Sequence, residues 1–231
     1  MTGVQTCALP ICNLGDRGFR IDGIDASDYS GVSVSGAGDV NGDGLSDLIV
    51  GASEADPGGD ISAGESYVVF GKTDGTRVDL GNLGVGGFRI DGIDAFDHSG
   101  FSVSGAGDVN GDGLADLLVG TPGDNNLTGA TFVVFGKASA MPVDLANLGV
   151  GGFRIDGIAA FDTSGYSISG AGDVNGDGWA DLIVGAPEYR QAADSYIGKS
   201  YVVFGKAGSS PVDLANLGAS GFRIGGIDTG D

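Results

Sequence analysis

One nine-residue pattern, D-x-N-x-D-G-x-x-D, occurs three times in this chain, at 39–47, 108–116 and 173–181. The copies lie 69 and 65 residues apart, and each runs into a short apolar segment, L-I-V-G or L-L-V-G. A unit repeated at such a period is a piece of supersecondary structure that buries its apolar faces against neighbouring copies of itself. The repeat therefore constrains the fold before any single residue does.

Oxygen-bearing residues fall at alternate positions of the pattern. Positions 1, 3 and 5 are Asp39, Asn41 and Asp43, then Asp108, Asn110 and Asp112, then Asp173, Asn175 and Asp177. Position 7 (Leu45, Leu114, Trp179) would supply its backbone carbonyl, and position 9 (Asp47, Asp116, Asp181) a carboxylate. Calcium takes six to eight oxygens at about 2.3–2.6 Å, which a chain curling around the ion offers at this spacing. Three carboxylates crowded into nine residues repel one another unless a cation joins them. The pattern predicts three Ca²⁺ ions, one per loop. Metal-free hairpin turns use the same N-G and D-G dipeptides, but all the ligand positions recur in every copy while the connecting segments drift. An EF-hand loop would place a carboxylate at position 12 and enter a helix. Position 12 here is Val50, Val119 or Val184, inside a run that reads as a strand.

Four strands fit each repeat. The first (32–38 and its counterparts from Phe101 and Tyr166) alternates apolar with small residues and enters the nine-residue loop; the second is the L-I-V-G run. The third covers 66–72, 131–137 and 200–206, and the fourth is F-R-I-D-G-I at 88–93 and 153–158, with Gly225 replacing Asp in the last copy. V-D-L-x-N-L-G connectors join the third to the fourth, and one further F-R-I-D-G-I at 19–24 stands alone before the first repeat. A multi-strand period of this length points to an all-β propeller rather than a helical solenoid.

The pairs Phe70-Gly71, Phe135-Gly136 and Phe204-Gly205, with Gly185-Ala186-Pro187 and its variants at 51–53 and 120–122, resemble FG-GAP repeats. These are the blades of the integrin α-subunit propeller and of many bacterial secreted or surface proteins. The resemblance covers nearly all of 19–231. It implies three complete four-stranded antiparallel blades at about 31–93, 100–158 and 165–227, one orphan strand, and a parent propeller of about seven blades. It also implies an ion in each hairpin between strands one and two, and an adhesion or ligand-binding role at the cell surface or outside the cell.

Composition narrows the partners. The formal charge is −20, from 31 acidic and 11 basic residues, which argues against nucleic acid. No apolar run is long enough to span a membrane as a helix. Gly is abundant at 47 residues without a G-X-Y period, as tight turns between short strands require. Both cysteines, Cys7 and Cys12, precede the repeats, leaving neither a disulfide framework nor a thiolate metal site in the body. Residues 1–18 are expected to be non-native, since 1–11 resemble a translated sequencing adapter, and the natural protein is expected to extend upstream.

No catalytic constellation is expected: His98 is the sole histidine, and its repeat counterparts are Tyr29 and Thr163. The segments joining strands two and three, 54–63, 123–129 and 188–199, vary most and are the candidate contacts for a protein or glycan ligand. The third, with Tyr189, Arg190 and Tyr196, has the residue types favoured at binding hot spots. Acids in the turns before strand one (Asp25 and Asp28, Asp94 and Asp97, Asp162) suit either a second cation site or ordinary turn capping. Two rival roles are a passive calcium-stiffened spacer and the accessory domain of a secreted hydrolase.

Overall fold

A computed structural model of the chain describes residues 18–187 and 198–226. The expected non-native segment lies outside the described residues, apart from Arg17's neighbour Gly18, and so do Tyr189, Arg190 and Tyr196. In chain order the strands are β1 (Ile21–Asp22), β2 (Ser33–Gly38), β3 (Asp47–Ala52), β4 (Glu65–Val69), β5 (Val78–Asp79) and β6 (Gly87–Asp91). The second repeat gives β7 (Ser102–Gly107), β8 (Asp116–Thr121), β9 (Ala130–Val134), β10 (Val143–Asp144) and β11 (Gly152–Asp156). The third gives β12 (Ser167–Gly172), β13 (Asp181–Ala186), β14 (Lys199–Val203), β15 (Val212–Asp213) and β16 (Gly221–Gly225).

Each repeat is a four-stranded antiparallel blade, ordered β2-β3-β4-β6, β7-β8-β9-β11 and β12-β13-β14-β16. Short β-branched runs form the central strands because alternate side chains must bury on opposite faces. Leu117 and Val119 of β8 pack towards the first blade, in a core with Ile49, Val68, Phe88 and Ile90. Leu118, between them, packs towards the third, with Leu182, Val184 and Tyr201. The phenylalanine of each F-G pair meets that of F-R-I-D edge to face, at centroid distances of 5.9, 6.0 and 6.1 Å.

The innermost strands need small residues. A Cβ on Gly105 of β7 would sit 2.6 Å from Gly36 O of β2, so the neighbouring backbones touch there. Polar bonds cross the same seams: Val103 N donates to Ser33 Oγ (3.0 Å), and Ser102 Oγ donates to Gly165 O (2.7 Å).

The V-D-L-x-N-L-G segments do more than connect. Their Val-Asp pairs form β5, β10 and β15, which pair in parallel with the fourth strand of the preceding unit: β5 with β1, β10 with β6 and β15 with β11. The orphan strand is thus clipped to the first blade. Each clip leads into a 3₁₀ turn whose second amide is capped by its Asp, as where Gly81 N donates to Asp79 Oδ1 (3.0 Å). A lysine reinforces the seam: Lys137 Nζ lies 4.2 Å from the Phe88 ring centroid and Lys206 Nζ 4.2 Å from that of Phe153. The one α-helical turn among the described residues is α1 (Asp124–Leu127), in the β8–β9 loop.

Candidate metal loops

A bulge at Gly38, Gly107 or Gly172 ends the first strand of each blade and turns the chain into its nine-residue loop. The three loops then follow one course. Position 6 (Gly44, Gly113, Gly178) has φ of 87°, 89° and 95°, a conformation that glycine adopts without strain.

The carboxylate at position 1 gathers the loop's amides. Asp39 Oδ1 accepts from Gly42 N (2.7 Å) and Asp43 N (3.1 Å), and its Oδ2 from Gly44 N (2.9 Å). Asp108 and Asp173 accept the matching three bonds. At position 3, Asn41 Oδ1 accepts from Asp43 N (2.8 Å) while its Nδ2 donates to Asp43 Oδ2 (3.0 Å), and Asn110 and Asn175 repeat the arrangement. At position 5, Asp43, Asp112 and Asp177 each accept from the amide of position 7, namely Leu45, Leu114 or Trp179, at 2.8–2.9 Å.

Position 9 is different, because it is buried. Asp47, Asp116 and Asp181 have 0% exposure. Asp47 Oδ2 accepts from Val40 N (2.8 Å) and its Oδ1 from Gly71 N (2.7 Å). Asp116 takes Val109 N and Gly136 N, and Asp181 takes Val174 N, Asn175 N and Gly205 N. The F-G glycine therefore anchors the last acid of the loop, a role that spacing alone did not reveal, since a variable loop sets the separation at 24, 20 or 24 residues. A side chain there would also collide: a Cβ on Gly136 would lie 2.6 Å from Ala115 O.

Burial pushes the Asp47 carboxyl above its ordinary range, against the pull of the Gly71 and Val40 amides, and the charges of Asp43 and Asp39 push it further. Asp116 is pushed up to about 6 by burial, opposed by the amides of Gly136 and Val109 and aided by Asp112 and Asp108. The acids of one loop thus feel one another's charge. The donors are all oxygens, three carboxylates and an amide, which is the chemistry a hard cation takes. Among the described residues, however, no three acidic, His or Cys side chains converge as a ready-made ion cage. The loop carboxylates rest on backbone amides instead.

Successive loops touch. Ala115 N donates to Asp39 O and Ala180 N to Asp108 O, both at 2.9 Å. The position-7 side chain reaches the preceding loop: a Cβ on Gly42 would lie 3.1 Å from Leu114 Cδ2, and one on Gly111 would lie 2.8 Å from Trp179 Nε1.

The turn acids have a plainer role. Asp28, Asp97 and Asp162 each accept from the amide three residues back, of Asp25, Asp94 and Ala159 respectively (3.0–3.3 Å). Only the backbone of that first residue is used, so alanine serves at 159 as well as aspartate does elsewhere. At the other end of the blades, loops 54–63 and 123–129 lie on the face opposite the D-x-N-x-D loops, with 3₁₀ turn Pro57–Gly59 in the first.

Three antiparallel blades, joined through their innermost strands and clipped at the rim, define a β-propeller module. Comparison with known proteins agrees: the FG-GAP repeat model matches at 30–69, 99–134 and 164–203, half of the chain, and the chain belongs to the FG-GAP repeat family. It is 30% identical over 175 residues to integrin alpha-PS2 of Drosophila melanogaster, covering 73% of this chain and 12% of that protein. It is 28% identical over 169 residues to integrin alpha-4 of Xenopus laevis, covering 73% of this chain and 15% of that protein. With the phosphatidylinositol-glycan-specific phospholipase D of Bos taurus it shares 35% identity over 156 residues, 64% of this chain and 18% of that protein. The chain thus spans less than a fifth of the length of these relatives.

Proposed function

We propose that the chain is a calcium-stabilised propeller segment of an extracellular or cell-surface protein, and that it serves adhesion or ligand recognition. One Ca²⁺ per loop would be held by Asp39, Asn41, Asp43, the Leu45 carbonyl and Asp47, and by the matching residues of the other two loops. The observation that carries this is the threefold recurrence, in sequence and in backbone course, of an oxygen-only donor set, whose acids push up one another's carboxyls in the first two loops. The integrin relatives support the recognition role, with protein or glycan ligands meeting the variable loops and further blades of the same propeller flanking this segment. The ion's part is to neutralise the loop acids and stiffen the hairpins. No step of chemistry is assigned to it.

A second reading makes this segment the accessory propeller of a secreted hydrolase, which the phospholipase D relative favours. Both readings share the calcium loops. Thermal melts in millimolar Ca²⁺ and in chelator test them. With a Kd of about 10⁻⁴ M, each ion adds on the order of 1.5 kcal/mol. Calcium is expected to raise the Tm of the native chain and to leave unchanged a triple variant, Asp39→Ala, Asp108→Ala and Asp173→Ala. Identical melts for the native chain in both buffers would contradict the proposal.

A further inference from the structure

On the face opposite the D-x-N-x-D loops, three blades meet around a pocket of about 370 Å³. Glu54 comes from the β3–β4 loop, His98 and Phe101 from the turn entering the second blade, and Leu127 from the β8–β9 loop. Thr163 and Tyr166, from the turn entering the third blade, close it. Its size is that of a small-molecule site, and its walls are mainly apolar with few polar groups, as such sites require.

Two features of the lining point to a ligand. First, Phe101 and Tyr166 form an aromatic pair, centroids 4.8 Å apart and tilted by 45°, yet Tyr166 stays 47% exposed. Second, Glu54 Oε1 lies 3.2 Å from His98 Nδ1, so an acid and an imidazole stand together on one wall, each about one third exposed.

The chemistry of the lining selects the ligand. An aromatic face carries negative charge density and attracts the C–H edge of a ring laid on it. Glu54 accepts hydrogen bonds, while an imidazole and a phenol can both donate and accept, which is what vicinal hydroxyls ask for. Thr163 is spoken for, since its hydroxyl donates to Asp162 O (2.8 Å). Glu54 and a formal charge of −20 disfavour phosphate, sulfate or carboxylate groups on the ligand. We propose that this pocket binds one neutral pyranose ring, stacked on Tyr166, with its hydroxyls shared between Glu54 and His98.

This inference rests on the recognition role proposed above and names its ligand class. The test is saturation-transfer NMR on the full chain in calcium, with D-glucose, D-galactose, D-mannose and N-acetylglucosamine as separate probes, and with arginine methyl ester as a cationic rival. At least one sugar is expected to receive saturation on its ring C–H protons. Tyr166→Ala should abolish that transfer or weaken affinity by about tenfold. Glu54→Gln, which keeps the shape of the site, should weaken it too, and Tyr29→Ala, outside the pocket, should not. Transfer to none of the sugars, transfer undiminished in both pocket variants, or transfer to the arginine ester alone would overturn the proposal. Melts of each sample in calcium and chelator separate the two readings. A calcium-dependent Tm without sugar contact removes only the pocket, whereas sugar contact with a calcium-independent Tm removes the metal and leaves the pocket.

Discussion

Asp97 shows how burial turns a turn-capping acid into a pH-dependent load on the fold. It is 5% exposed, and burial pushes its carboxyl up to about 6. The Asp94 amide and the Arg154 charge pull the other way, while the charges of Asp124 and Asp94 add to the rise. A folded-state value above the ordinary 3.8 means that the native state holds this proton more tightly than the unfolded chain does. Its contribution to stability is therefore full below about pH 4 and lost as pH rises through about 6. Asp97→Asn keeps an acceptor for the Asp94 amide and removes the charge. It is expected to be about 2 kcal/mol more stable than the native chain at pH 7 and equal to it near pH 4. Denaturant melts across that range measure the difference, and a variant weaker than the native chain at pH 7 would show that the charge is needed.

Among the elements, the L-I-V-G strands show what one blade demands of the next. A Cβ on Gly51 would lie 2.0 Å from Gly100 O, and one on Gly120 would lie 2.2 Å from Gly165 O, in both cases against the following blade's backbone. Gly185 holds the same repeat position, but its nearest contact is 3.3 Å away, within its own blade. Gly51→Ala and Gly120→Ala should each cost about 1–3 kcal/mol, and Gly185→Ala much less; equal costs would mean that the glycine serves the strand rather than the seam. The loops are linked in the same way, and Trp179, the sole tryptophan, lies against Gly111 of the preceding loop. Its emission should shift on calcium addition, and Asp108→Ala in that neighbouring loop should weaken the shift. An unchanged titration would show that the loops act independently. The four strands of each blade and the course of the three D-x-N-x-D loops were legible in the sequence because apolar alternation and the spacing of turn residues are local. The parallel clips β5, β10 and β15 were not. A two-residue strand has no periodicity, and its partner lies 57, 53 or 57 residues away in another blade, as in Ile21 with Val78, Ile90 with Val143 and Ile155 with Val212. The bond from the F-G glycine to the loop acid was hidden for the same reason.

For the whole molecule, the inner and outer blades differ in what they cover. Phe88 and Phe153 are 1% and 2% exposed, whereas Phe222 at the same repeat position is 43% exposed. Ile90 and Ile155 are fully buried and Ile224 is 49% exposed, and on the first blade Val34 is 66% exposed while Val103 is 6%. Apolar surface of this kind associates unless covered. The central claim is that the three loops are ion sites, and calorimetric titration of the chain with Ca²⁺ tests it most directly. The account predicts close to three ions bound per chain, with one binding event lost for each of Asp43→Ala, Asp112→Ala and Asp177→Ala. No heat of binding in the native chain, with the fold intact, would contradict it and leave the loops as hydrogen-bonded turns.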